Sequence, residues 1–71
     1  MSRIVIHRGP VPGTRLGHHW FTGPDGQRYG ILGWPHGRNK GWAYEVISED
    51  GATSDDSMFS FDEIRAWAAS L

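Results

Sequence analysis

Large apolar side chains fall on every second position in the most strand-like stretch of this chain. Across residues 42–48 (WAYEVIS), Trp42, Tyr44 and Val46 alternate with neighbours that are smaller or more polar. A period of two places these three side chains on one face of a β-strand. The sequence therefore predicts a strand here, with one face more apolar than the other.

Two further strand patterns lie on either side of a turn signal. Residues 18–22 (HHWFT) and 27–32 (QRYGIL) flank the sequence GPDG. Pro24 presets its own φ angle, and Gly26 tolerates a positive φ, which suits a tight turn. A β-hairpin is the predicted product.

The ends of the strand region have weaker patterns. Residues 3–7 (RIVIH) form a β-branched strand candidate, and the proline and glycine residues of 9–17 predict a connecting loop. After a turn at 49–51 (EDG), a polar strand through Thr53 is expected to run back toward Met58.

The last segment, residues 60–71, has the periodicity of a helix. Ser60 is the predicted N-cap, and Glu63 three residues later completes a capping box in which each side chain satisfies a free backbone N–H group. The apolar residues that follow at helical spacing are Ile64, Trp67, Ala68 and Leu71. This face of the helix is expected to pack on the strands.

These elements predict a small α+β fold. With 71 residues, the chain is expected to form a single domain, in which strands and loops occupy 1–59 and a C-terminal helix occupies 60–71. An antiparallel β-meander of three to five strands packed against that helix is the predicted architecture. The absence of cysteine and of any long apolar run favours a cytoplasmic protein without a membrane partner.

Charge is distributed unevenly along the chain. Residues 1–41 carry six basic side chains against Asp25, a net charge of +5, whereas residues 42–71 carry seven acidic side chains against Arg65, a net charge of −6. A basic half can attract phosphate or acidic protein, and an acidic half can attract basic protein. Alternatively, the two halves fold together and neutralise each other.

Residue patterns typical of catalysis are missing from the sequence. The serines lack a nucleophile motif, and no glycine-rich phosphate-binding spacing occurs. The histidines lack the spacing of a metal site; they are His7, His18, His19 and His36. We therefore expect no enzyme activity, no cofactor and no metal.

The most suggestive stretch is residues 33–42 (GWPHGRNKGW), which is expected to be the loop between two strands. Its candidate partner-binding residues are Trp34, His36, Arg38, Lys40 and Trp42. Tryptophan beside arginine is a frequent anchor of protein interfaces and a stacking platform for single-stranded nucleic acid. Alternatively, the two tryptophans pack against each other across the hairpin and only hold the turn closed.

Four acidic residues after this strand form a second candidate surface. They are Glu49, Asp50, Asp55 and Asp56. Such a row can imitate the phosphates of a nucleic acid toward a basic protein. The alternative is that these acids only keep the turns soluble.

Part of the chain resembles a known DNA-binding domain. YGILGWPHGRNKGWAYEV, the Asp-Gly turn and MFSFDEIRAWA are similar to the three-stranded-sheet-plus-helix domains of phage-type integrases and plant ethylene-response transcription factors. The resemblance covers residues 29–69 and rests on GWAYEV, on Phe59 with Ser60 before the acidic pair, and on Ala66-Trp67-Ala68. It implies a three-stranded antiparallel sheet packed on a helix.

The resemblance also implies DNA binding, but the sheet arginines of that family are missing here. The first strand offers Gly30, Ile31, Leu32 and Gly33, and the third carries Asp55 and Asp56. Carboxylates repel phosphate, so DNA binding would have to use Arg28, Arg38, Lys40 and the N-terminal arginines.

Together these patterns favour a small non-enzymatic interaction protein, monomeric or homodimeric. The expected role is that of an accessory or inhibitor protein of phage or mobile-element type that binds a host protein or nucleoprotein complex. The alternative is a direct DNA- or RNA-binding module that uses the basic loop 33–42.

Overall fold

The computed structural model of the protein describes residues 4–36, 41–54 and 58–71, with His36 described by its backbone only. The elements are β1 (His7–Arg8), β2 (His19–Thr22), β3 (Arg28–His36), β4 (Gly41–Ser48) and α1 (Phe61–Ala68). The strands form one sheet in the order β1-β2-β3-β4, and each neighbouring pair is antiparallel. The predicted α+β meander with a C-terminal helix is confirmed.

Both predicted tight turns are present. The Gly26 N–H donates to the Gly23 carbonyl at 3.0 Å, and Gly26 has a φ of +83°, which only glycine adopts without strain. At the end of β4, the Gly51 N–H donates to the Ser48 carbonyl at 3.0 Å. The first turn therefore joins β2 to β3, and the second ends β4.

The hairpin of β3 and β4 is longer than predicted. The strand expected to end near Leu32 runs on to His36, through Pro35. The N–H groups of Tyr44 and Ser48 point away from β3, toward Met58 and Ala52. Every second residue of β4 does the same, so Trp42 and its partner Pro35 direct their backbone nitrogens away from each other. Since β2 pairs with β3 only as far as Ile31, Pro35 gives up no ladder hydrogen bond.

The predicted strand at residues 3–7 is described from Ile4 onward, and the prediction is wrong there except at His7. Ile4 to Ile6 lie outside any strand, and β1 is limited to His7–Arg8. The Ile4 side chain is buried in the core, and its carbonyl accepts a hydrogen bond from Arg65 Nε at 3.4 Å. Contact with the helix thus holds this segment in place of strand pairing.

The last predicted strand is reduced to two isolated bridges. Thr53 pairs with Ile47 and Met58 pairs with Tyr44, both antiparallel. Residues 55–57, which include Asp55 and Asp56, lie outside the described residues. The bridges cover part of the outer edge of β4.

The core lies between α1 and one face of the sheet. Ile64 and Ala68 of the helix are buried there. They join the buried residues Ile4, Phe21, Tyr29, Ile31, Val46 and Met58. The helix ends at Ala68, three residues earlier than predicted, and Leu71 is 43% exposed.

The helix begins at the predicted cap with one change. Ser60 Oγ accepts from the Glu63 N–H at 3.1 Å, as expected. The Glu63 carboxylate, however, accepts from the Phe59 N–H at 2.6 Å, one residue before the cap. Each side chain still satisfies a backbone donor at the helix start.

The other face of the sheet is covered in part by the loop of residues 9–17. Gly30 faces this side, and a Cβ there would lie 2.9 Å from the Leu16 carbonyl oxygen. Val11 in the same loop is fully buried, and its N–H donates to the Leu16 carbonyl at 3.0 Å. Gly30 therefore lets the loop lie directly on the sheet.

Candidate functional site at the free end of the hairpin

The strand register places the two tryptophans of the hairpin on opposite faces. Trp34 pairs with Ala43, and Trp42 pairs with Pro35. Paired residues share a face and successive residues alternate, so Trp42 lies on the helix side and Trp34 on the far side. The alternative in which these two tryptophans pack against each other is therefore wrong.

Both of these tryptophans are exposed. Trp34 keeps 38% and Trp42 keeps 53% of its surface in contact with solvent. The other two tryptophans have ring partners: Trp20 stacks on His7 at 4.4 Å between ring centroids, and Trp67 meets Tyr29 edge-on at 6.0 Å. The hairpin thus presents one large apolar side chain on each side of its free end.

A recess lies beside Trp42, and we call it the Trp42 recess. It has a volume of about 170 Å³, and its lining consists of His18, His19, Gly33, Trp42 and Tyr44. Gly33 pairs with Tyr44, and a Cβ at Gly33 would lie 3.1 Å from the Tyr44 ring and 3.5 Å from Trp42 Cε3. The lack of a side chain at Gly33 leaves the floor open between the two rings.

The histidine side of the recess is positioned by a close backbone approach. The His18 N–H donates to the Ile31 carbonyl at 2.7 Å. Gly17 just before it has a φ of +83°, and a Cβ there would lie 2.7 Å from the Ile31 backbone nitrogen. Only glycine permits this approach, which places His18 beside β3.

The helix supports the recess through Phe61. The Phe61 ring lies 5.1 Å from the His19 ring and 5.1 Å from the Tyr44 ring, measured between centroids. Because Ser60 caps the helix directly before Phe61, the cap fixes where this ring lies. The recess is therefore built by β2, β3, β4 and the first turn of α1 together.

The remaining residues of the predicted basic loop are only partly described. His36 is the last residue of β3 and pairs with Gly41, the first residue of β4. Arg38 and Lys40 belong to residues 37–40, outside the described residues. By sequence, they connect the two strand ends that carry Trp34 and Trp42.

The predicted acidic surface lies in part at the opposite end of the hairpin. Glu49 forms an ion pair with Arg28, with Oε1 2.7 Å from Nε. The Asp50 carboxylate accepts from the Ser48 hydroxyl and the Ala52 N–H, and these bonds hold the pKa of Asp50 below its usual value. Glu49 and Asp50 are thus engaged within the chain, and neither lies beside the Trp42 recess.

A tyrosine–aspartate pair also lies at that opposite end. Tyr29 Oη donates to Asp25 Oδ2 at 2.6 Å, which lowers the pKa of the Asp25 carboxyl. Burial, with a further contribution from Asp25, raises the pKa of Tyr29 to about 12. The pair ties the GPDG turn to the core.

The described parts of the chain offer neither a metal site nor a membrane-spanning helix. Residues 4–36, 41–54 and 58–71 contain no group of three histidine or acidic side chains placed to hold a metal ion. No helix among them has the length and apolar character needed to cross a bilayer.

Sequence reasoning did not bring His18, His19, Gly33 and Tyr44 together as one site. In a hairpin whose loop is residues 37–40, Gly33 pairs with Tyr44. The correct strand register would therefore have placed these two residues side by side. The approach of His18 depends on a loop contact with β3, which the alternation of side chains does not encode.

No protein-family model matches the sequence, and no curated protein or solved structure is significantly similar to it.

Proposed function

We propose that this protein is a small binding module, without catalytic activity of its own, whose contact surface is the free end of the β3–β4 hairpin. The target is a protein or a nucleoprotein complex. The role is that of an accessory or inhibitor protein, of the kind that phages and mobile elements encode.

The observation that carries this proposal is the exposure of Trp34 and Trp42 on one hairpin end. Tryptophan is enriched among the residues that dominate binding energy in protein interfaces. The basic residues Arg38 and Lys40 lie between these two positions in the sequence and add charge that can steer an acidic partner.

Direct binding of DNA or RNA is the second candidate. The aromatic lining of the Trp42 recess favours it, because a nucleobase can stack on an aromatic ring while nearby basic residues neutralise phosphate. This function would use the same end of the hairpin, through Arg38 and Lys40.

Affinity capture from an extract of the source organism tests the first proposal. The immobilised baits are the wild type, Trp34→Ala, Trp42→Ala, the double variant, and Val5→Ala, which shortens an apolar side chain that is 56% exposed outside the hairpin. We expect a protein that the wild type and Val5→Ala retain equally and the double variant loses. Equal retention of every captured protein by the double variant would refute the hairpin as the contact surface.

Titration of labelled DNA and RNA at about 50 and 200 mM salt separates the second candidate. Binding through phosphate weakens steeply over this range, and replacing Arg38 and Lys40 with alanine would flatten that dependence. Tight, salt-sensitive binding would favour nucleic acid over protein as the target.

A further inference from the structure

The Trp42 recess has the chemistry of a pocket for one apolar side chain. Its lining includes the aromatic residues Trp42 and Tyr44 together with His18 and His19. Its volume of about 170 Å³ suits a single buried group rather than a whole peptide. Pockets of this kind receive the anchor side chain of an interface, with polar groups around it for orientation.

The charge around the recess favours an acidic partner. No carboxylate belongs to its described lining, and the register places Arg8 beside His19 on the same face. The acidic residues that the structure describes at the far turns, Asp25, Glu49 and Asp50, lie at the other end of the hairpin.

The two carboxylates of the supporting helix do not belong to the lining of the recess. Asp62 pairs with Arg65 at 3.0 Å, and Glu63 accepts the Phe59 N–H at the helix start. Glu45, the one acidic residue within β4, alternates with Tyr44 and therefore lies on the opposite face of the sheet. A partner segment with acidic residues thus meets complementary groups around the recess.

The placement of the two exposed tryptophans favours a peptide over a nucleic acid. Binding of single strands uses aromatic side chains in a row, on which successive bases stack, along a basic groove. Trp34 and Trp42 lie on opposite faces of the sheet, so one strand cannot stack on both in succession. A single anchor side chain needs only the Trp42 face.

We propose that the Trp42 recess binds one aromatic or aliphatic side chain from an acidic segment of a protein partner. This inference rests on the proposed function and names the chemistry of the partner. The side chain lies over Gly33 between the rings of Trp42 and Tyr44, and the flanking carboxylates of the partner face Arg8 and the two histidines.

Fluorescence polarisation with defined peptides tests the inference on the full chain. The probes are fluorescein-labelled nonapeptides with a central Leu, Phe or Trp between aspartate and glutamate residues. Matched peptides carry a central Ala, or lysines in place of the acids, and a labelled oligothymidine represents single-stranded nucleic acid. We expect at least one acidic probe with an apolar centre to bind about tenfold more tightly than its Ala-centred and its lysine-flanked counterparts.

Three variants locate the binding. Trp42→Ala removes a wall, and Gly33→Ala places a methyl group in the floor, so each is expected to weaken binding about tenfold or more. Val5→Ala, which shortens an exposed apolar side chain outside the hairpin, is the matched control and should leave the affinity unchanged. Thermal unfolding of each variant distinguishes a loss of binding from a loss of folding.

Other results would overturn the inference. These are no binding by any acidic probe, equal binding of acidic and lysine-flanked probes, or a loss caused by Val5→Ala but not by Trp42→Ala. Preference for oligothymidine, lost in Trp42→Ala, would assign the recess to a nucleobase. The proposed function fails by a different result, which is capture of partner proteins that depends on neither tryptophan.

Discussion

The two ends of the β3–β4 hairpin use their aromatic side chains differently. At the turn end, Tyr29 is buried, donates to Asp25 and meets the edge of Trp67 from the helix. At the free end, Trp34 and Trp42 extend from opposite faces into solvent. The same residue types thus hold the fold together at one end and are presented at the other.

The lengths of the elements explain this difference. An α-helix of eight residues is about 12 Å long, whereas a strand of nine residues extends for about 30 Å. Phe61 at the helix start reaches Tyr44, and Trp67 near its end reaches Tyr29. The helix therefore covers the sheet between these two points and does not reach the part of the hairpin beyond Tyr44.

The largest expected effect on stability comes from the covered end. Trp67→Ala should lower the free energy of unfolding by about 2–3 kcal/mol, because a half-buried ring that contacts Tyr29 is lost from a small core. Urea denaturation measures this change. An effect no larger than that of Trp42→Ala would remove the contrast between the two ends.

A pH-dependent effect of about 2 kcal/mol is expected from Tyr29. Its pKa is about 12 in the fold against 10.0 ordinarily, so its contribution is complete below pH 10 and declines between pH 10 and 12, where the unfolded chain ionises first. A pKa shift of this size in Tyr29 corresponds to about 2.7 kcal/mol of unfolding free energy. Asp25 lies at the surface, where solvent weakens its interaction with Tyr29, so the expected effect is smaller.

Tyr29→Phe isolates this contribution. The wild type should be more stable than the variant at pH 8, and urea denaturation should show the gap narrowing as the pH rises above 10. A gap that is constant from pH 8 to pH 11.5 would contradict the assigned role of the Tyr29 hydroxyl.

The helix start contributes a smaller amount. Ser60→Ala removes the acceptor for the Glu63 N–H and should cost about 1 kcal/mol of unfolding free energy. Ser70→Ala, near the other end of the helix, is the matched control, with an expected change below about 0.5 kcal/mol. Equal effects in denaturation would mean that the cap does not stabilise the helix.

The smallest effects on stability are expected at the free end. Trp34→Ala and Trp42→Ala should each lower the unfolding free energy by about 1 kcal/mol or less, because both rings are partly exposed and neither packs against the core cluster. Denaturation of both variants checks this. A loss of about 2 kcal/mol or more for either would show that the ring supports the fold and is not held available for a partner.

Local signals were sufficient to predict much of the fold. Alternation at residues 42–48, the GPDG turn and the Ser60 cap each predict their element from residues close in sequence, and each is present. The pattern of residues 3–7 predicts a strand that is largely absent from the described part of that segment. The Ile4 side chain is buried in the core although its backbone does not enter the sheet. Long-range contacts of this kind leave no periodic trace in the sequence.

The site was predicted less completely for a related reason. Trp34 and Trp42 stand out by composition, but their faces depend on whether Trp34 belongs to β3, and the predicted strand ends near Leu32. The strand continues because Pro35 directs its nitrogen away from β4, where β2 has already stopped. The extra length of β3 brings Trp34 into the sheet, on the face opposite Trp42.

The most direct test of the hairpin as a contact surface is site-specific photo-crosslinking in the source organism. A photoreactive benzoylphenylalanine replaces Trp34, Trp42 or, as a control at the covered end, Leu71. We expect a crosslinked protein partner from position 34 or 42 and none from position 71. A partner that crosslinks from position 71, and from neither position 34 nor position 42, would contradict the hairpin as the contact surface. That result would place the surface at the helix end of the molecule.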